Sequence, residues 1–306
     1  MVDPVLKWAG GKRQLLDELY ARFPEEFEYY HEPMFGGGAL FFDLEPEDGT
    51  INDTNDRLVN FYEQVRDNPD ELIAELRGFS DPESEPDPNQ EFAETTRKGK
   101  EMKNYYYQQR DLFNRRPNDE DHDDLEEAAQ LLYLNRTCFN GLYRENADGE
   151  FNVPIGSYAS PDWIRTDEIR NASAVLKETK IFNRGFEYVT EYAESGDLVY
   201  FDPPYEPMSP TANFTDYSAE GFGKDDQEEL VNIARVLDED GVYVILSNSG
   251  VMYEMYDGAG FYVETEGATR AINSDADNRG EVDEIIATNI PPDDRGPRGQ
   301  VKLGNY

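Results

Sequence analysis

Cysteine is almost missing from this chain: Cys138 is the only one in 306 residues. That excludes an internal disulfide framework and a cysteine-based zinc site. Histidine is nearly as scarce, with only His31 and His122, so no metal centre is expected. No apolar run approaches the roughly 20 residues that span a bilayer. Residues 1–16 lack the apolar core of a signal peptide. The expectation is therefore a cytoplasmic protein with no membrane partner. Lysine is also rare, supplying 9 of the 28 bases, whereas Asp and Glu number 66, giving a formal charge of −38.

Leu, Ile, Val and Phe sum to 66 residues, just above the level (about 20 %) below which a highly charged chain reads as disordered. The 13 % aromatic content argues the same way,. The chain is read as folded, with a modest core and a very acidic surface. Such a charge would by itself exclude polyanionic partners. Its spread through the chain instead fits a protein from a salt-loving organism, where ions screen self-repulsion within ~3 Å at 1 M. Basic islands interrupt the acidity. Residues 91–116 hold seven bases against four acids, 128–144 hold Arg136 and Arg144 and no acid, and Lys7, Lys12 and Arg13 precede Asp17. Ion pairing with neighbouring acids is the plain explanation for any one island.

Periodicity predicts a helix over 12–22, a short strand over 29–34, a helix over 39–44 and a strand over 50–53. A long helix follows over 55–79, then an acidic, proline-punctuated loop at 80–89, and helices near 99–114 and 123–135. Residues 137–158 are rich in turn formers, with Asp148-Gly149 as a hairpin signal. Beyond a helix at 167–177, strands at 181–182, 197–201, 242–246, 261–266 and 282–289 alternate with helices at 186–194 and 224–238. This alternation indicates an α/β fold with a parallel sheet. The block 56–165 interrupts it as a mostly helical insertion.

Two segments carry chemistry. Phe35-Gly36-Gly37-Gly38 lies between a strand and a helix, where glycines let backbone approach a ligand. Asp53 ends the next strand, placed to accept from ribose hydroxyls. A tight turn, a nicotinamide dinucleotide site and an S-adenosylmethionine site remain open on these residues. The loop is not G-x-G-x-x-G, since Leu40 and Phe41 follow, which disfavours the dinucleotide. Gly10-Gly11-Lys12 is not a P-loop: Leu6 and Arg13 occupy the places of its first Gly and its Ser/Thr.

The second segment, Asp202-Pro203-Pro204-Tyr205, follows the apolar strand 197–201, and sheet ligands bind at strand carboxyl ends. Two prolines remove two N–H donors and leave bare carbonyls. A carboxylate, a free carbonyl and an aromatic face together suit a planar base with an exocyclic amine. Asp202 and the Pro203 carbonyl accept its two N–H bonds, and Tyr205 stacks on the ring.

These segments resemble those of the Dam-type DNA adenine-N6 methyltransferases. The matching stretches are Leu6-Lys7-Trp8-Ala9-Gly10-Gly11-Lys12, Glu32-Pro33-Met34-Phe35-Gly36-Gly37-Gly38, Asp53-Thr54-Asn55, Leu134-Asn135-Arg136, Asn140-Gly141-Leu142-Tyr143-Arg144, residues 149–156, Asp202 to Tyr205, and Thr211-Ala212-Asn213-Phe214-Thr215. One departure is Met34, which holds the place the family gives to Phe, with Phe35 beside it. The resemblance implies a Rossmann-like methyltransferase sheet, formed by 1–55 and 166–306. It implies a target-recognition domain over 56–165, with a DNA-contacting hairpin at 137–158.

The same resemblance implies S-adenosylmethionine as cofactor, held by Trp8, Lys12, Phe35, Gly36, Gly38, Asp53 and Asp202. Asp202, Pro203, Pro204 and Tyr205 are the implied catalytic set. Double-stranded DNA is the implied partner, met by Lys7, Arg136, Phe139, Asn140, Leu142, Arg144, Pro154 and Tyr158. Phe139 would wedge into the stack, Arg136 and Asn140 would hold phosphates, and Leu142, Arg144 and Pro154 would face bases. Arg144 suits bidentate contact with a guanine edge, and GATC is the implied site. The adenine must leave the duplex to react. The chain is expected to be a monomer, whether solitary or paired with a restriction nuclease. The competing readings are a related amino-methyltransferase acting on RNA adenine, and a silent nucleic-acid-binding module.

The acidic surface yields a test. If it is a salt adaptation, the thermal midpoint rises with KCl from about 0.01 M toward molar levels, as the Debye length shrinks from ~30 to ~3 Å. A midpoint highest at the low-salt end contradicts this.

Overall fold

The computed structural model describes residues 2–8, 10, 12–90, 104–115, 123–205, 222–269, 281–296 and 302–303. The motif 211–215 and most of the basic island 91–116 lie outside them. The described strands are β1 (Glu26–Phe27), β2 (Tyr30–Glu32), β3 (Gly49–Asn52), β4 (Lys180–Phe182), β5 (Leu198–Phe201), β6 (Tyr243–Ser249), β7 (Tyr262–Thr269), β8 (Glu281–Thr288) and β9 (Lys302–Leu303). The helices are α1 (Leu16–Tyr20), α2 (Ala39–Leu44), α3 (Asp56–Asp67), α4 (Pro69–Gly78), α5 (Tyr105–Arg115), α6 (Asp124–Thr137), α7 (Thr166–Leu176), α8 (Lys224–Glu239) and α9 (Tyr253–Gly258). They divide into a sheet unit (12–35, 46–54, 178–306) and a helical unit (1–11, 36–45, 55–177).

In the sheet unit, seven strands run in the order β4-β3-β2-β5-β6-β8-β7, and β1 pairs with β9 separately. Strands β2 to β6 pair in parallel. The chain steps outward from β2 to β4, then returns to place β5 on the other side of β2. That reversal is the switch point beside which ligands bind in open α/β sheets. The expected parallel sheet holds for β2 to β6, whereas β8 runs antiparallel to both β6 and β7. β7 and β8 pair from Tyr262↔Thr288 to Thr269↔Glu281.

β5 and the first part of β6 are apolar runs, as befits strands covered on both faces,. Val199, Phe201, Val244 and Leu246 pack with Leu230, Ile233, Ala234 and Leu237 of α8. At the amino edge of the strands, Asp197 accepts from the backbone N–H of Tyr29 and Glu194 and lies 3.1 Å from His31 Nε2. His31 Nδ1 meets the Thr50 hydroxyl at 2.8 Å, which meets that of Tyr188 at 2.7 Å. This buried network ties β2, β3 and β5 together at the end remote from their carboxyl termini.

In the helical unit, α6 is the central element, packed by α3, α4 and α5. The long helix expected over 55–79 is two. Pro69 opens α4, and the residue before a proline avoids helical dihedrals; Asn68 sits at φ −131°, ψ 47°. Asn55 caps α3 by accepting from the Leu58 N–H. The acidic loop 80–89 is tied to α5: the Ser84 carbonyl accepts from Tyr105 N–H, and Gln108 brackets Asp87. The expected hairpin 137–158 forms only isolated antiparallel bridges, Cys138↔Ile155 and Glu145↔Phe151. Left-handed Asn140 (φ 56°) and Gly141 (φ 66°) interrupt the first arm, and Pro154 has no N–H for a ladder. The helices expected over 12–22 and 186–194 are shorter, opening as or reducing to 3-10 turns at Lys12–Gln14 and Phe186–Glu191.

Gly49 shows how closely β3 is laid on β2. Its φ is 150°, and a Cβ there would lie 1.8 Å from the Tyr30 carbonyl oxygen. Gly49→Ala is therefore expected to destabilise the protein by at least ~2 kcal/mol, read as a lower urea midpoint at unchanged m-value. A midpoint equal to that of the parent would show that β3 sits more loosely.

Candidate active site

Strand β5 is apolar throughout and ends where Asp202-Pro203-Pro204-Tyr205 begins, so the tetrapeptide emerges at the carboxyl edge of the sheet. One Asp202 oxygen, Oδ1, accepts from Ser247 Oγ at 2.8 Å, and Ser247 is 3.0 Å from the Tyr200 hydroxyl. Pro203 is buried, and the Pro204 carbonyl accepts from Gln227 of α8 at 3.2 Å. Gln227 in turn accepts from Asn248, which also reaches the Tyr256 hydroxyl. The two prolines and this polar chain fix the tetrapeptide on one side.

Lys12 fixes it on the other. Its Nζ lies 3.0 Å from Asp202 Oδ1 and 3.1 Å from Glu284 Oε1. It also donates to the Tyr205 hydroxyl and sits 4.1 Å from the centre of that ring. The Tyr205 hydroxyl donates to Glu284. Lysine and glutamate side chains are only 7 % and 12 % exposed here, so each charge depends on its partners. Burial pushes the Asp202 and Glu284 carboxyls above their ordinary pKa values, against the pull of the Lys12 ammonium; Ser247 also pulls Asp202 down.

Elsewhere in the sheet unit, Phe35 is buried and its N–H donates to Asn52 at 2.9 Å. Asp53 follows β3, and its carbonyl accepts from Asn183. Asn52 clamps the ends of two neighbouring segments, donating to the carbonyls of Pro33 and Arg184. Phe35, Asp53 and Asp202 thus follow three strands at their carboxyl ends.

The remaining expected site residues lie in the helical unit. Gly36 and Gly38 adopt φ of 50° and 62°, dihedrals that glycine enters without strain. A Cβ on Gly36 would come 2.9 Å from the Trp8 ring. Tyr143 stacks on Trp8, with centroids 5.4 Å apart and planes at 24°. Lys7 is held by Asn135, which accepts from its N–H and donates to its carbonyl, while Lys7 Nζ donates to Tyr158 at 3.2 Å. Phe139 (46 % exposed) and Tyr158 (37 %) are large apolar groups left open to solvent. Asn140, Arg144 and Pro154 are exposed too, and Leu142 is half-buried. Arg144 Nε donates to Asn152 at 2.6 Å. Arg136 is half-buried, donating to the Asp162 carbonyl, and burial beside Arg165 lowers its pKa. Cys138 is buried, its thiol pushed up to about 12 by burial, as befits a packing residue.

Glu284, Ser247 and Gln227 were not singled out from the sequence. The signals were present: Glu284 precedes the apolar pair Ile285-Ile286, and Ser247-Asn248-Ser249 closes an otherwise apolar strand. All three of that triplet are buried.

Comparison with known proteins bears on this arrangement. Residues 8–272 match the model of the D12 class N6 adenine-specific DNA methyltransferases. The chain belongs to this family. It is an adenine-specific DNA methyltransferase with an α/β fold. Over 290 residues it is 39 % identical to the Type II methyltransferase M1.LlaDCHI of Lactococcus lactis subsp. cremoris, covering 94 % of this chain and 95 % of the relative. It is 39 % identical over 293 residues to the Type II methyltransferase M.MjaIII of Methanocaldococcus jannaschii, covering 91 % and 95 %. The DNA adenine methylase of Escherichia coli K12 is 33 % identical over 288 residues, covering 94 % and 95 %. A solved rRNA methyltransferase, aviRa of Streptomyces viridochromogenes, covers 97 % of this chain and 94 % of its own at 10 % identity, but with a TM-score of only 0.35. No described helix is long and apolar enough to cross a membrane.

The carboxyl at the end of β5 should titrate visibly. Asp202 is expected to titrate above the ordinary ~3.9 of aspartate in carboxyl-carbon NMR. Ser247→Ala is expected to raise its midpoint further, because the lost hydrogen bond favoured the charged form. Lys12→Met should raise it more. A carboxyl held high by burial favours folding in its protonated form. Its contribution to stability is thus full in acid and lost as pH rises through the raised midpoint. A midpoint at or below the ordinary value would contradict this account of burial.

Proposed function

We propose that this methyltransferase takes its methyl group from S-adenosylmethionine and places it on adenine N6 in a base flipped out of duplex DNA. The observation that carries this reading is the Asp202 to Tyr205 tetrapeptide at the carboxyl end of β5, with its carboxylate held by Ser247. The residues present suit the donor. Gly36 and Gly38 leave bare backbone at positive φ, Gly36 beside the Trp8 ring, and Asp53 follows a strand end with a carboxylate for ribose hydroxyls,. When bound, S-adenosylmethionine supplies an electrophilic methyl on a sulfonium. Trp8, Lys12, Phe35, Gly36, Gly38, Asp53 and Asp202 are the residues assigned to hold it.

Adenine N6 is a poor nucleophile because its lone pair is delocalised into the ring. Asp202 and the Pro203 carbonyl accept its two N–H bonds, favour a more tetrahedral nitrogen and stabilise the positive charge that develops there until one N6 proton is released to solvent. Tyr205 stacks on the base and fixes its angle, so that positioning supplies much of the remaining acceleration. The sequence of steps requires no covalent enzyme intermediate, consistent with a buried, unactivated Cys138.

Residues 56–165 are assigned to target recognition. The loop 137–158 presents Phe139 to the base stack, Arg136 and Asn140 to phosphates, and Leu142, Arg144 and Pro154 to base edges, with Lys7 and Tyr158 alongside. The exposure of Phe139, Asn140, Arg144 and Pro154 supports this. GATC is the proposed site, and the acidic surface is the proposed salt adaptation.

Two substitutions test the assignment. Asp202→Ala is expected to abolish N6 methylation while leaving the thermal unfolding transition in place; a near-normal rate would falsify the catalytic role. Arg144→Ala is expected to cost roughly 1–3 kcal/mol of discrimination at one guanine, measured by cognate against single-substituted duplexes. Equal losses on cognate and scrambled DNA would make Arg144 a phosphate contact only.

A further inference from the structure

The proposed roles use Leu142 and Arg144 but leave Tyr143, between them, without one. The chain is extended where it leaves the 3-10 turn at Phe139–Gly141, with Leu142 at φ −74°, ψ 142°. Successive side chains of an extended segment point to opposite sides. Burial alternates accordingly: Leu142 is half-buried and Arg144 exposed, whereas Tyr143 is only 3 % exposed. The side assigned to base edges and the side bearing Tyr143 are thus the two faces of one three-residue stretch.

Tyr143 is fixed by what it meets inside the helical unit. Its ring stacks on Trp8 with centroids 5.4 Å apart, and meets the Phe151 ring at 5.6 Å. Its hydroxyl donates to Glu145 at 2.5 Å. Trp8 in turn lies against the glycine loop, so closely that a Cβ on Gly36 would come 2.9 Å from its ring. The main chain before Trp8 is clamped to the same stretch as Tyr143. Asn135 bonds both backbone groups of Lys7 and also donates to the Gly141 carbonyl at 3.1 Å.

We propose that Tyr143 is a positioning residue for the donor site: stacked on Trp8, it holds that ring against the glycine loop and ties it to the base-facing stretch 142–144. This rests on the assignment of Trp8 to S-adenosylmethionine and of Leu142 and Arg144 to base edges. Tyr143 itself touches neither ligand and acts through Trp8. Bases that engage Leu142 and Arg144 hold Tyr143 from its other side, and the Trp8 ring with it. Each ligand then spares the other part of the cost of ordering this stack, so the two bindings strengthen one another by the same factor.

The test uses the full-length enzyme and the unreactive product S-adenosylhomocysteine, titrated calorimetrically alone, with cognate duplex and with scrambled duplex. The cognate duplex is expected to tighten its binding about tenfold relative to the scrambled one. Tyr143→Leu, which removes the stack, is expected to cut that ratio below about twofold and to weaken binding without DNA. Tyr143→Phe keeps the ring and should retain the ratio. In a Trp8→Leu background, Tyr143→Leu should change neither value further. A second measurement leaves residue 143 untouched. Trp8 and Trp163 are the two tryptophans, so the emission of Trp163→Phe reports Trp8 alone. That emission is expected to shift on adding cognate duplex without any donor, and not on adding scrambled duplex. The proposal is overturned if Tyr143→Leu leaves the ratio at the parent value, if Tyr143→Phe abolishes it, or if Trp8 emission does not distinguish the two duplexes. A ratio of one in the parent enzyme overturns it as well, while leaving the donor reading intact. A parent enzyme that binds no S-adenosylhomocysteine removes the donor reading itself, and this proposal with it.

Discussion

A buried lysine ammonium held between two half-buried carboxylates organises the carboxyl edge of this sheet. Neither carboxylate would keep its charge cheaply there alone, as the upward shift of both by burial shows. With Lys12 between them, and Ser247 donating to Asp202, a cluster of opposed charges persists at this edge,. The same cluster disposes the Tyr205 ring, so the chemistry assigned to Asp202 and Tyr205 depends on how these groups share one cation.

The sheet makes this cluster possible. Lys12 lies before the first strand, Asp202 follows β5 and Glu284 sits in β8, so three distant stretches of chain must converge. They do so because β5 lies beside β2 at the switch point and β8 folds back along β6. The opposite edge is fastened by the His31, Thr50, Asp197 and Tyr188 network. A buried polar network thus fastens one end of the strands, and the residues proposed for the chemistry lie at the other, where ligands bind in open α/β sheets.

The helical unit solves a different problem. A chain of charge −38 acts on a polyanion, and loop 137–158 is the part proposed to meet it. Bridges at Cys138↔Ile155 and Glu145↔Phe151 hold the loop, while left-handed Asn140 and Gly141 turn Phe139 outward without a regular ladder. Asn135 and Tyr143 fasten Lys7 and Trp8 to the same loop. Neighbours of Leu142 and Arg144 in this loop therefore also support the segment that bears Trp8.

Much of this was legible along the chain. Alternating apolar strands and helices give the α/β class, and Asp202 to Tyr205 and Phe35 to Gly38 carry the family motifs because turn and pocket chemistry depends on contiguous residues. Pro69 dividing a helical stretch was also written in the sequence, although amphipathic periodicity ran through it and concealed the break. What the sequence could not express is pairing at a distance. The reversed direction of β8 depends on which neighbour its backbone bonds. The placing of Glu284 at this edge depends on its lying opposite Ser249 across that ladder. Side-chain type and spacing determine local conformation and the chemical groups on offer. Which carboxylates end up sharing one ammonium is decided by strand order and register, and these are properties of the folded sheet.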